Sequence, residues 1–206
     1  MRIQKFIQYL SISIYGITKQ TQEELILTIC KTTNIPAVIF RYQNVYGPGQ
    51  SLSNPYTGIL SIFSTRIKNN NDIYIFEDGK ESRDFVYIDD VIDATIRGIE
   101  KEDANYEIFN VGSGEAIDIL QVANTLKNEV NSNVNIKITG DYRIGDIRSN
   151  YADLIKIKEK LGYEPKVNFK EGIKKFVKWI EKQGIKNDLY EESIKEIKKK
   201  GFFINE

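Results

Sequence analysis

Tyr15 stands four residues before Lys19 in the stretch SISIYGITKQTQEE. On a helix, positions i and i+4 share a face, so a phenol and an ammonium at this spacing can address one cavity. A phenol with a pKa of about 10 is a poor base at neutral pH. An ammonium about 4 Å away, at an effective dielectric of about 20, favours the phenolate by about 4 kcal/mol before desolvation reduces the gain. Such a pair can serve as a general base that removes a hydroxyl proton. At this composition about one Tyr-x-x-x-Lys arises by chance, so the spacing carries weight only with the rest of the chain behind it.

Composition removes several rival chemistries. The chain has no histidine, which excludes Ser-His-Asp hydrolysis, histidine acid–base catalysis and histidine-ligated metals. Its single cysteine, Cys30, excludes an internal disulfide and a cysteine cluster for zinc. Within the apolar run LILTICK, Cys30 is expected to be a small core residue. Basic and acidic residues balance at 29 each, so no net field points to nucleic acid. No run reaches the roughly 18 apolar residues of a membrane span. The opening MRIQKFIQYLSISIY is interrupted by Gln4, Lys5 and Gln8 and lacks a cleavage site, so a cytoplasmic protein is expected. With 206 residues, 41% of them hydrophobic, one medium domain or slightly more can form a core.

The elements that must position the pair alternate. TKQTQEELILTICKTT reads as a helix, with Leu25 and Ile29 on its apolar period. IPAVIFRYQNVYG reads as a strand ending at Gly-Pro-Gly, and PYTGILSIFSTRIKNNN as a helix closed by asparagines. DIYIFEDG is a strand running into an Asp-Gly turn. RDFVYIDDVIDATIRGIEK passes from strand to helix, with Asp84, Asp89 and Asp90 placed to cap and brace. YEIFNVGSG is a strand and turn, DILQVANTLKNEV a helix capped by Asp118, VNIKITG a strand. YADLIKIKEKLG ends as a helix at Gly162. FKEGIKKFVKWIEKQG is amphipathic, and the charged segment after Gly184 reads as an accessory surface helix. This alternation predicts an α/β fold with parallel pairing. A dinucleotide-binding unit opens with strand, Gly-x-Gly-x-x-Gly and helix; that fingerprint is missing, and NVGSGEA at 110–116 reads as a tight turn.

Five segments in order, YGITK, RYQNVYGPG (41–49), EDGKESRDFVYIDDV (77–91), FNVGSG (109–114) and GDIRSNYAD (145–153), give the chain a specific likeness. Together they resemble the extended short-chain dehydrogenase/reductase family, in particular its nucleotide-sugar epimerases and dehydratases, over about residues 9 to 182. RYQNVYGPGQSLSNPYTGILSIFSTRI is most similar to the dTDP-L-rhamnose 4-epimerase type, with UDP-glucose and UDP-glucuronate 4-epimerases as relatives.

The resemblance implies the following. The fold is the C-terminal part of a Rossmann-type doubly wound domain plus a smaller mixed α/β substrate-binding domain. Residues 1–48 are a remnant of the NAD-binding domain, 49–182 mainly the substrate region with 84–111 returning to the Rossmann domain, and 183–206 a charged tail. Tyr15 takes a sugar hydroxyl proton while hydride passes to NAD, and Lys19 also holds the nicotinamide ribose. Tyr42 and Gln43 lie by the nicotinamide. Asn44 bonds the substrate, Arg83 clamps its diphosphate through a guanidinium fork suited to phosphate, and Arg143 and Arg148 flank the same anion. Asn150 touches the sugar; Asn54 and Tyr56 help to enclose the base. Arg41 has an equal claim as a strand-end structural ion pair. No metal is implied. Implied partners are the nucleotide sugar, a second copy through the Tyr15–Lys19 helix, and an upstream polypeptide carrying the glycine fingerprint. The alternative is a truncated module that binds nucleotide sugar without redox chemistry.

Overall fold

The computed structural model describes residues 14–52, 58–143, 147–200 and 203–204. Helix α1 (Ile14–Thr33) opens them and leads into β1 (Val38–Tyr42) and β2 (Asn44–Tyr46). α2 (Ile59–Lys68) and β3 (Ile73–Ile75) follow, then β4 (Ser82–Arg83), β5 (Phe85–Tyr87) and α3 (Ile88–Glu100). Next come β6 (Glu107–Val111), β7 (Ile117–Asp118), α4 (Ile119–Val130) and β8 (Ile136–Ile138). β9 (Tyr142–Arg143), β10 (Ser149–Asn150), α5 (Ile155–Leu161), α6 (Phe169–Ile180), α7 (Tyr190–Lys199) and β11 (Phe203–Ile204) complete them.

Pairing is mostly parallel. β1 runs beside β6 with Phe40 opposite Phe109, β2 beside β5 with Val45 opposite Val86, and β3 beside β8. The run from Val38 to Tyr46 changes neighbour in mid-course: the Gln43 amide donates to the Val111 carbonyl, and the Asn44 amide to that of Asp84, each at 2.9 Å. β4 pairs with both β10 and β7, and β9 with β11.

Two apolar cores result. One joins Phe109, Val111, Val86, Val91, Ile157, Leu161 and Tyr163, with Phe40 packed against it. It therefore draws in α5 and Tyr163, which the expected division left with the substrate region. The other gathers Tyr46, Phe63, Ile75, Phe85, Leu126 and Phe176 beneath α2, α4 and α6. There the Tyr46 ring meets Phe85, Tyr87, Phe169 and Phe176 with centroids 5.6–6.4 Å apart.

Local signals explain many element ends. Asp118 caps α4 by accepting from the Gln121 amide at 2.6 Å, and Asn168 caps α6 by accepting from Glu171 at 3.0 Å. Gly162 closes α5 in the left-handed region at φ 63°. α1 differs from the rest: none of its residues is buried. Leu25 and Ile29, on the helix's apolar period, are 60% and 52% exposed, and Cys30, expected in the core, is half-buried. Their apolar period is real, but no other described residue covers it. Among the described residues, no helix is long and apolar enough to cross a membrane.

Candidate functional site

α1 holds Tyr15 and Lys19 on one face, the ammonium 5.5 Å from the centre of the phenol ring. Tyr15 is 71% exposed, and Lys19 donates to Gln22 at 3.3 Å. The helix is tied to β1 by Glu23, whose carboxylate takes Nε and Nη2 of Arg41 at 2.6 and 2.5 Å. Arg41 is thus the structural pair that its place at the strand end allowed.

Successive residues of a strand point to opposite faces. Arg41 turns to α1; Tyr42 turns to α3, where its hydroxyl meets Thr95 at 3.0 Å. The Tyr42 hydroxyl is thus held at α3. Gln43 is half-buried, and its side-chain oxygen is buried without a hydrogen-bond partner. A buried carboxamide oxygen of this kind suits an N–H from an absent group. This orphan acceptor fits the nicotinamide contact expected of Gln43.

Asn44 and Arg83 line one cavity of about 250 Å³. Arg83 is half-buried at the β4–β10 pairing and donates through Nη1 to the carbonyls of Ser82 at 2.8 Å and Arg148 at 3.4 Å. What places it there is Asp84, wholly buried next door. Its carboxylate accepts from the Ser113 amide and hydroxyl at 2.7 Å, the Gly114 amide at 2.9 Å and the Ala152 amide at 3.1 Å. One side chain thereby fastens the NVGSG turn and the NYAD segment to the strand that carries Arg83. Gly112 is required by this closeness, since a Cβ there would stand 2.3 Å from an Asp84 oxygen. Asp90, also buried, accepts the amides of Lys166 and Val167 at 3.0 and 3.1 Å. Both aspartates brace, as their positions suggested.

The remaining predicted residues fall less simply. Asn150 is exposed beside Arg83 in the strand register. Arg143 stands in β9, its backbone paired with Phe203. Asn54 and Tyr56 lie outside the described residues. Arg148 turns to a carboxylate cluster, pairing with Asp78 through both terminal nitrogens at 2.7 Å and with Glu77 at 2.8 Å. Asp78 is held well below the usual carboxylate range by the Arg148 guanidinium first and the Lys80 amide next. Glu81 stands at the same place, 3.8 Å from Arg148 and only 5% exposed. Burial chiefly, then the adjoining Glu77 carboxylate, pushes it up to about 7. Its Oε1 is buried without a hydrogen-bond partner.

Glu77 and Glu81 line the cavity too, with Tyr74, Ile75 and Phe76 of the β3 region. So do Tyr190, Ser193 and Ile194 of α7, which corrects the reading of the tail as an accessory surface helix. The signal was present: Tyr190, Ser193, Ile194 and Ile197 follow the helical i, i+3, i+4, i+7 spacing. The heavy charge around them concealed it. The site thus offers a guanidinium beside an amide side chain, apolar and aromatic walls, and acidic groups at one side. That lining suits a ligand with an anion joined to a planar ring.

The chain is similar to known proteins over most of its length. The model of the NAD dependent epimerase/dehydratase family matches residues 5–112. The dTDP-L-rhamnose 4-epimerase of Burkholderia thailandensis is 39% identical over 168 residues, covering 82% of this chain and 46% of that protein. A putative UDP-glucose 4-epimerase of Methanocaldococcus jannaschii is 34% identical over 169 residues, covering 82% and 53%. The chain therefore spans about half the length of the curated relatives it matches. Among solved structures, UDP-glucose 4-epimerase of Thermotoga maritima with UDP-glucose superposes with a TM-score of 0.74 at 36% identity, over 82% of this chain and 53% of that one. UDP-glucuronic acid 4-epimerase of Bacillus cereus, in complex with UDP-glucuronic acid and NAD, gives 0.75 at 29% identity over 84% and 54%. With its ordered motifs, its α/β fold and these likenesses, the chain belongs to the NAD dependent epimerase/dehydratase family.

Proposed function

We propose that this chain is the substrate-binding and proton-transferring part of a cytoplasmic nucleotide-sugar 4-epimerase that acts on a dTDP- or UDP-sugar with NAD. The observation that carries the reading is the shared cavity of Asn44 and Arg83, joined through the β1–β2 run to the helix bearing Tyr15 and Lys19. Arg83 holds the diphosphate and Asn44 bonds the adjoining sugar, with Arg143, Arg148 and Asn150 around them and Asn54 and Tyr56 towards the base. Tyr15 takes the proton of the sugar 4-hydroxyl as that carbon becomes a ketone, and returns it when the ketone is reduced from its other face. Lys19 stabilises the phenolate and holds the nicotinamide ribose, with Gln43 beside the ring. NAD, when bound, accepts the hydride and gives it back.

In the complete enzyme the apolar face of α1 that no described residue covers packs against the glycine-rich half or a second copy. The test is turnover of UDP-glucose or a dTDP-sugar by the complete enzyme carrying Tyr15→Phe. At least a hundredfold loss of kcat with substrate affinity kept supports the base; unchanged kcat overturns it. A second reading, a binding module without redox chemistry, is favoured by the exposure of Tyr15 and the Lys19 contact to Gln22. Nucleotide-sugar affinity with no turnover in any assembly would select it.

A further inference from the structure

The tail helix is fastened to the substrate region by a set of specific contacts. Arg66, 4% exposed, pairs with Asp188 at 3.2 Å, and its guanidinium carbon lies 5.0 Å from the Tyr74 ring centre and 4.5 Å from that of Tyr190. Those two rings stack within 9° of parallel, 5.9 Å apart. Asn71 donates to Asp188 at 2.8 Å, and Lys68 donates to the carbonyls of Ile180 and Gln183 at 2.7 and 2.5 Å. The helix so held presents Tyr190, Ser193 and Ile194 to the cavity that Asn44 and Arg83 share. Ser193 is buried, and its hydroxyl proton goes to the Tyr190 carbonyl at 2.7 Å. Toward a ligand that oxygen can therefore only accept.

At about 250 Å³ the cavity is below the roughly 300–1,000 Å³ of whole-ligand sites. It is too small to enclose a whole nucleotide sugar. Where Arg83 takes the anion, the apolar and aromatic part of the lining, Ile62, Phe63, Tyr74 and Ile194, suits a flat ring, while Glu77 and Glu81 keep one side acidic.

We infer that α7 is the wall of the nucleobase subsite, with Ile194 and Tyr190 against the ring and Ser193 accepting a ring N–H, such as the imide of a pyrimidine-dione. This rests on the nucleotide-sugar reading above. It makes the C-terminal helix a determinant of which nucleotide is accepted, in addition to the motifs that mark the family.

The test is amide hydrogen exchange of residues 190–199 in the full wild-type chain, with saturating dTDP, UDP or inorganic pyrophosphate and binding followed by calorimetry. dTDP and UDP are expected to slow exchange in this segment about tenfold, and pyrophosphate to leave it unchanged. Ser193→Ala and Ile194→Ala are each expected to weaken dTDP and UDP about three- to tenfold without changing pyrophosphate binding. Nucleotide binding with unchanged exchange at α7, equal protection by pyrophosphate, or faster exchange on binding overturns the inference. Absence of binding by any of the three overturns the nucleotide-sugar reading itself and this inference with it.

Discussion

Arg148 grips Asp78 with both terminal nitrogens at 2.7 Å, a two-point pair beside the cavity that holds Arg83. The same guanidinium meets Glu77 at 2.8 Å. Arg148 was read from its motif as a phosphate ligand, and the structure has it engaged by carboxylates. The two roles compete for one fork. Asp78→Ala should therefore raise affinity for dTDP or UDP about two- to fivefold, measured by calorimetry. Unchanged or weaker binding would place Arg148 outside the diphosphate site.

Glu81 makes the protein pH-sensitive. Its ordinary value of 4.5 is pushed up to about 7 in the folded chain. The folded state thus holds a proton that the unfolded state has released. This contribution to stability is complete below pH 4.5 and lost as pH rises through about 7. Compared with Glu81→Gln, the wild type should lose about 1–2 kcal/mol across that window, the counter-charge of Arg148 and solvent at the rim reducing the full linkage value. Denaturant unfolding of both proteins along a pH series measures it; parallel profiles would contradict it.

Asp84 should be among the most sensitive positions. Asp84→Ala leaves the donors of Ser113, Gly114 and Ala152 without the buried carboxylate that accepts them. The expected loss is about 3–5 kcal/mol by chemical denaturation. A loss under about 1 kcal/mol would mean that the two loops hold their places without it.

Arg66 should control how firmly the tail is held. Arg66→Ala removes the Asp188 pair and the guanidinium stacked by Tyr74 and Tyr190. Tryptic cleavage within residues 185–199 should quicken about tenfold while the core's unfolding midpoint moves little. An unchanged cleavage rate would show the tail held by its other contacts.

These cases separate what was legible in the sequence from what was not. Caps and turns act within a few residues, so Asp118, Gly162 and the NVGSG turn could be read directly, as could the strands running into and out of the motifs. A bracing role for Asp84 and Asp90 was legible from the strand-to-helix passage that holds them. Long-range partners left no local mark. Nothing near Arg148 announces that Glu77 and Asp78, some seventy positions earlier, take its guanidinium. Nothing near Tyr190 announces Tyr74 and Arg66. Strand alternation sends Tyr42 to Thr95 while Arg41 goes to Glu23, partners that the motif alone does not name. Leu25 and Ile29 mark the apolar period of α1, and a period tells which face is apolar without naming what covers it.

The measurement that tests the central claim most directly is a calorimetric titration of the 206-residue chain with dTDP and with UDP, repeated on Arg83→Ala. The account predicts saturable one-to-one binding of at least one nucleotide to the wild type and a loss of tenfold or more in the variant, about 1.4 kcal/mol or greater. A folded wild-type chain that binds neither nucleotide, or an Arg83→Ala variant that binds as well as its parent, would contradict it.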